Sequence, residues 1–294
     1  MKKTIQILTA FFIFNASLAT ASPTLVSAKW VKENLNKIVL VDLSDQSQYQ
    51  KFHLPNAIYV KYNWLIKPQG GIALSGGKNY MVKVLSQLGI SQNDHIVIYD
   101  NMGNLDASRL YWELIKLNHQ KVSMLDGGLV AWVLANYPVT QKTVPKKATQ
   151  YIANNTNFED KYTADKNDVL TAIKDKNTLI LDTRSKAEYL GNKKNKKQRT
   201  GHIPTALFFP WEVSVDGKNG YQQRDDKAVD EFLSYLKITD KTQPIIAYCN
   251  SGHRAARVFT LLKSQGFDNI KLYDASMQEW EISKANPLKI GKNP

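Results

Sequence analysis

Cysteine is almost missing from this chain, with one in 294 residues, at position 249. A lone thiol cannot close an internal disulfide or build a zinc ribbon, and it stands too far along to be a lipid-modified N-terminal cysteine. Five histidines add no metal-ligand cluster, so neither a metal nor a cofactor is expected. Long hydrophobic runs are missing too. The stretch from about Ile5 to Phe14 falls short of the ~20 residues that span a bilayer, so no membrane-embedded segment is expected. Glycine (15) and proline (10) are too few for a collagenous or low-complexity chain. Acidic residues are the scarcer charge, 26 against 39 basic ones. That excess lacks the aromatic interleaving of a nucleic-acid surface, and no nucleic-acid partner is expected.

What is present begins with Met1-Lys2-Lys3, the apolar stretch, and Ala19-Thr20-Ala21. A positive start, a short apolar segment and a small-x-small site form the pattern of a secretory signal peptide over 1–21, cleaved after Ala21. The expected location is periplasmic or secreted. In an oxidising compartment a leftover cysteine is either buried and inert or exposed and reactive.

The rest of the chain repeats itself. Ile38–Asp42 and Thr178–Asp182 are apolar runs ending in Asp, each with a tyrosine seven positions on, Tyr49 and Tyr189. His53-Leu54-Pro55-Asn56-Ala57 and His202-Ile203-Pro204-Thr205-Ala206 share one frame. A second apolar run ends 47 positions after each histidine, at Asp100 and at Cys249. Asp126 with Trp132 then matches Asp274 with Trp280. Five landmarks in register mark a tandem duplication. Short apolar strands alternate with amphipathic helical patterns, expected over Arg109–Leu117 and Ala255–Gln265, which implies an α/β fold with parallel sheets covered on both faces. The expected division is a first domain over 22–145, a linker over 146–160 and a second domain over 161–294. The insertion near Gly191–Thr200 carries Lys193, Lys194, Lys196, Lys197 and Arg199. It reads as a solvated loop or as a docking surface for an acidic protein partner.

Cys249 ends a buried strand and is followed by Asn250-Ser251-Gly252-His253-Arg254 and a helix. Ligands of parallel sheets bind beyond the carboxyl ends of strands, and a helix N-terminus presents free amides there. A small-residue loop at that point can curl its amides inward around a thiolate or an anionic sulfur donor. Gly252 supplies backbone freedom for the curl. Arg254 would act on the anion or brace the loop through a carboxylate, and His253 would face solvent or tune the thiolate. Asp182 and Arg184, at the end of a neighbouring strand, read as support for the loop, either as an ion pair or in substrate contact. His202, matched by His53, reads as structural, and Trp132 and Trp280 as core. The first unit has Asp100 where the second has Cys249 and lacks the His-Arg pair, so it is expected to be inactive, its carboxylate filling an amide nest.

These features resemble the rhodanese family of sulfurtransferases. The resemblance rests on Asp182-Thr183-Arg184, Gly201–Ala206, Cys249–Ala255, Asp274-Ala275-Ser276 with Glu279-Trp280, and Asp126-Gly127-Gly128 with Trp132. It covers almost the whole chain after the signal peptide and implies two tandem rhodanese-like domains, each a parallel sheet flanked by helices. It also implies that Cys249 takes the outer sulfur of a small-molecule donor, becomes a persulfide, and hands the sulfur to a thiophilic acceptor such as cyanide or a thiol. Asn250, Ser251, Gly252, His253 and Arg254 would bind the substrate. The chain departs from the family at five places, of which the first two are turn changes and the last three bear on the donor. The family commonly has glycine at Thr205 and Ala275. Two-domain members usually have a substrate-binding arginine at Glu188. Thiosulfate enzymes often have lysine at Ser251, and mercaptopyruvate enzymes have Gly-Val-Thr at Gly252–Arg254. Thiosulfate is the expected donor, with 3-mercaptopyruvate and a sulfur-carrier or partner-binding module as alternatives. Cysteine phosphatases share a cysteine-loop-arginine geometry, but their loop has five residues between the two, whereas Cys249 and Arg254 enclose four.

Overall fold

The computed structural model describes residues 22–145, 147–153, 160–192 and 199–294. The proposed signal peptide and Lys193–Lys197 lie outside the described residues, as do parts of the 146–160 connection. Arg199, at the end of the lysine-rich insertion, donates to the carbonyls of Ser283 and Asn286 at 2.8 Å each.

The N-terminal domain contains β1 (Leu25–Val26), α1 (Ala28–Asn34), β2 (Val39–Asp42), α2 (Gln46–Lys51), β3 (Ile58–Tyr59), β4 (Ile66–Gln69), β5 (Ile72–Ser75), α3 (Gly77–Gln87), β6 (Ile96–Tyr99), α4 (Leu105–Lys116), β7 (Val122–Leu125) and α5 (Gly128–Leu134). The C-terminal domain contains β8 (Thr163–Ala164), α6 (Lys166–Asp175), β9 (Leu179–Asp182), α7 (Lys186–Tyr189), β10 (Ala206–Phe208), β11 (Val215–Asp216), β12 (Gln222–Gln223), α8 (Asp226–Tyr235), β13 (Ile245–Tyr248), α9 (His253–Ser264), β14 (Ile270–Tyr273) and α10 (Ser276–Trp280).

The two main sheets are parallel and have the same order, β1-β7-β6-β2-β3 and β8-β14-β13-β9-β10. Their central strands, Ile-Val-Ile-Tyr and Ile-Ile-Ala-Tyr, are buried at every position. A strand covered on both faces needs such a continuous apolar run rather than an alternating one. The duplication reaches the hydrogen bonds. His53 and His202 each meet a tyrosine carbonyl through Nδ1 (Tyr49 at 2.7 Å, Tyr189 at 2.8 Å), and each is stacked on that tyrosine's ring. Both histidines are structural, and Trp132 and Trp280 are core residues without exposed surface.

Both helices that follow the central strands start earlier than periodicity suggested, at Leu105 and His253 rather than Arg109 and Ala255. The apolar pattern of a helix marks only its packed turns. Here the first turn begins directly after a left-handed residue, Asn104 or Gly252 (φ +64° and +72°), which turns the chain from loop to helix. Part of the expected linker packs on the N-terminal domain: Tyr151 donates its amide to Ser86 Oγ at 3.0 Å, and its hydroxyl meets His119 Nδ1 at 2.9 Å.

The domains share one core. Leu110, Tyr111 and Leu114 of α4 lie in the same buried cluster as Val258, Phe259 and Leu262 of α9. Burying these two apolar faces against each other is the main favourable term available to the interface. Each domain also lends the other a β-hairpin. The end of the β4–β5 hairpin donates Ser75 N to Asp274 Oδ2 at 2.7 Å. Gln223 N, on the β11–β12 hairpin, donates to Asp126 Oδ1 at 2.7 Å in the opposite direction.

Candidate active site

The C-terminal ends of β6 and β13 deliver Asp100 and Cys249 to equivalent places. At the first, the carboxylate of Asp100 accepts four backbone N–H bonds: Oδ1 from Met102 (2.7 Å) and Asn104 (2.8 Å), Oδ2 from Asp106 (2.7 Å) and Ala107 (3.0 Å). This is the filled amide nest expected from the sequence. Burial still outweighs the four bonds and pushes Asp100 up to about 6.

Cys249 is a free thiol, 1% exposed, and so is buried rather than exposed as expected of a reactive lone cysteine. Its loop is one residue shorter than that of Asp100, since α9 begins four positions after Cys249 and α4 five after Asp100. A single hydroxyl fixes the curl: Ser276 Oγ accepts the amides of Cys249 (3.0 Å) and Gly252 (3.2 Å) and donates to Tyr273 O (2.7 Å). The first-turn amides of α10 take the loop's carbonyls, Met277 N to Cys249 O at 3.2 Å and Gln278 N to Asn250 O at 3.0 Å. Both ends of the loop are thereby tied down. The first-turn amides of α9 have no partner within their own helix and lie at the same strand end as the sulfur.

Gly252 is required on two grounds. Its φ is +72°, and an added Cβ would lie 2.6 Å from Arg109 NH1 and 2.7 Å from Asp274 Oδ1. Arg109 comes from the N-terminal domain, so the Cys249 loop rests directly on the domain boundary.

The loop's polar side chains turn to protein partners. Asn250 Nδ2 donates to Glu188 Oε1 at 2.9 Å, and Arg254 donates to both Glu188 oxygens, NH1 at 2.8 Å and NH2 at 3.2 Å. Burial opposes the charge on Glu188, but bonds from Arg254, Ser185 and Asn250 overcome it and hold the carboxyl well below the usual glutamate range. Of the two roles open to Arg254, the structure gives it the bracing one, because a forked guanidinium matches the carboxylate that replaces the family's arginine. Glu188 also closes a capping box at the start of α7 through Ser185, which fixes where its carboxylate points.

The imidazole of His253 is half-buried at the domain boundary. Its Nε2 meets Asp106 Oδ1 of α4 across the domain boundary, and its ring lies 4.8 Å from that of Tyr62. Ser251 is half-buried. Asp182 and Arg184 form a buried ion pair at 2.7 Å, with Arg184 also donating to Gly201 O at 2.7 Å. Tyr248 OH donates to Asp182 Oδ2 at 2.7 Å, so the pair supports the strand that carries Cys249. Asp106 and Tyr62 carry no mark in the sequence, and Ser276 appears there only within the Asp274-Ala275-Ser276 motif. Ser276 carried one signal, because it replaces Gly128 of the first unit.

A strand-end thiol, a short loop curled onto a helix N-terminus and the same frame repeated with a carboxylate are now in place. The family model for the rhodanese-like domain matches residues 27–135 and again 165–283. The chain belongs to the rhodanese-like family. It is a sulfurtransferase. A Mycobacterium leprae protein provisionally named a thiosulfate sulfurtransferase is 32% identical over 288 residues, covering 92% of this chain and 99% of that one. The thiosulfate sulfurtransferase of Azotobacter vinelandii is 28% identical over 256 residues, covering 86% and 92%. Among solved structures, Tum1 of Saccharomyces cerevisiae is similar in fold, with a TM-score of 0.79 at 22% identity over 92% of this chain and 99% of that one. The rhodanese-like chain thus shares its two-domain arrangement with relatives along nearly their whole length.

Proposed function

We propose that this sulfurtransferase is exported and moves the outer sulfur of thiosulfate through a Cys249 persulfide to cyanide or a thiol. In the first half-reaction the Cys249 thiolate attacks the outer sulfur of thiosulfate. A new S–S bond forms, the old one breaks, and sulfite leaves with its electron pair. The persulfide then gives its outer sulfur to the acceptor, and the bonding pair returns to Cys249 as thiolate. The observation that carries this reading is the pair of equivalent loops. One holds a carboxylate with four amides, and the other puts a thiol at the same strand end. In this reading the N-terminal domain performs no sulfur chemistry, because Asp100 is no nucleophile for sulfane sulfur. The names of the curated relatives favour thiosulfate over 3-mercaptopyruvate.

Export rests on the Met1–Ala21 pattern, and cleavage after Ala21 would leave a periplasmic or secreted protein. Among the described residues no helix is long and apolar enough to cross a membrane. An acidic protein partner would meet the lysines of the 193–199 insertion rather than Arg199, which is committed to two carbonyls.

The test compares thiosulfate and 3-mercaptopyruvate as donors to cyanide, with mass spectrometry of Cys249. Thiosulfate should give thiocyanate and a mass increment of one sulfur atom, and Cys249→Ser should give neither. Faster turnover of mercaptopyruvate would replace the donor. Absence of an adduct with every donor would sink the reading.

A further inference from the structure

His253 and Asp106 stand in a relation that sulfur transfer between anions does not need. The imidazole comes from the first residue of α9, on the Cys249 loop, and the carboxylate from the first turn of α4 in the other domain. Nε2 meets Asp106 Oδ1, and the two side chains are 30% and 29% exposed, half-sunk at the domain boundary. A carboxylate bonded to Nε2 accepts the proton of that nitrogen, so a neutral ring in this geometry carries its lone pair on Nδ1. Among the described residues Nδ1 has no hydrogen-bond partner. Tyr62 lies against the ring at 4.8 Å and fixes its plane.

The curl of the loop sets the backbone of His253 next to that of Cys249, because Ser276 Oγ ties the amides of Cys249 and Gly252 to one atom.

We propose that His253, oriented by Asp106, carries a proton for acceptors that arrive as thiols, so that the N-terminal domain sets the acceptor class although it has no sulfur chemistry of its own. The proposal rests on the persulfide reading above. Discharge to a cyanide anion moves no proton: the anion takes the outer sulfur and Cys249 leaves as thiolate. Discharge to a thiol does. Cys249–S–S⁻ and R–SH become Cys249–S⁻ and R–S–SH, so the thiol's proton must leave before attack and reach the transferred sulfur afterwards. Nδ1 of His253 takes that proton from the acceptor and returns it to the departing outer sulfur. The acceptor sulfur bonds to that atom as the Cys249–S bond breaks, its electron pair remaining on Cys249. His253 would be the catalytic group and Asp106 a positioning residue.

The test separates the half-reactions. Wild type, Asp106→Asn, Asp106→Glu and His253→Gln are loaded with thiosulfate, the adduct is verified by mass, and single-turnover discharge is timed with dithiothreitol and with ionised cyanide. A positioned general base contributes about 100-fold or more. Discharge to the thiol should therefore fall by about that factor in His253→Gln and Asp106→Asn, at least tenfold further than discharge to cyanide. Asp106→Glu should recover part of that gap, and the solvent deuterium isotope effect on thiol discharge should disappear with His253. Equal losses on both acceptors would make the pair a structural brace and overturn the proposal, as would unchanged rates. If wild type takes up no sulfur from any donor, the persulfide reading itself fails and this proposal with it.

Discussion

Arg109 of the N-terminal domain and Asp274 of the C-terminal domain form a buried ion pair at 2.5 Å, packed against the Cα of Gly252 in the Cys249 loop. The position in α9 equivalent to Arg109 is Arg257, the fifth residue of each helix. Arg257 reaches back to Gly103 O at 3.0 Å, in the loop after Asp100. Each domain's loop is thus steadied by an arginine from the other, and the geometry at Cys249 depends on an intact interface.

Removing one partner of a buried pair leaves an unpaired charge, at a cost of about 3–5 kcal/mol. Arg109→Met should therefore lower the urea-denaturation free energy by about that amount, with loss of sulfur transfer under conditions where the chain remains folded. Arg109→Met with Asp274→Asn should recover part of the stability, because the amide still accepts from Ser75 N without holding a charge. Equal stability of the single and double variants would show that the charge itself is not what the interface contains.

Glu188 governs how much of Arg254 is available to a donor. Both guanidinium bonds go to this carboxylate, so an incoming dianion meets a neutralised arginine and must rely on backbone amides. Glu188→Gln keeps the shape and removes the charge. The expected result is a KM for thiosulfate about three- to tenfold lower, with a smaller change for a monoanionic thiosulfonate, in steady-state assays with cyanide. A higher KM for both donors would mean that bracing the loop matters more than releasing the arginine.

Ser276 is the hinge pin of the Cys249 loop. Its φ is +50°, a left-handed value that glycine adopts freely, so Ser276→Gly removes the hydroxyl without backbone strain. Two buried amides then lose their acceptor, each at about 1–3 kcal/mol. Turnover should fall about 10- to 100-fold, and crystal structures or amide hydrogen exchange should report loosening confined to residues 249–252. In the first unit the equivalent Gly128 leaves no such room, since a Cβ there would come within 2.2 Å of Asp100 O. Unaltered turnover in Ser276→Gly would show that the α10 amides hold the loop unaided.

Much of this architecture could be read from the residues because it is local and repeated. Val39–Asp42 and Leu179–Asp182 occupy matching places in the two sheets, and His53 and His202 make matching bridges outside them. Cys249 stood out because its duplicate is Asp100. The partners of the loop were another matter. Asp106, Arg109 and Tyr62 lie more than 130 positions from Cys249, and only the packing of the N-terminal domain on α9 and its loop brings them to it. Arg254 carries no mark in the sequence that chooses between an anion and a carboxylate. Glu188, 66 positions earlier, makes that choice through a contact formed only by the folded chain.

Asp100 makes the cost of a charge in such a nest measurable. Its carboxyl titrates at about 6, above the unfolded value of 3.8, because burial outweighs the four amide bonds. A raised folded pKa stabilises the fold below the unfolded pKa, and that contribution is lost as pH rises through the folded one. Asp100→Asn cannot ionise, so it lacks this component. The stability of wild type minus that of Asp100→Asn should thus decline by roughly 2.4 kcal/mol between pH 4 and pH 7, most steeply between the two pKa values. Paired urea titrations across that range would read it. A flat difference would mean that the four N–H bonds fully replace water, and the nest would then hold a permanent negative charge without penalty.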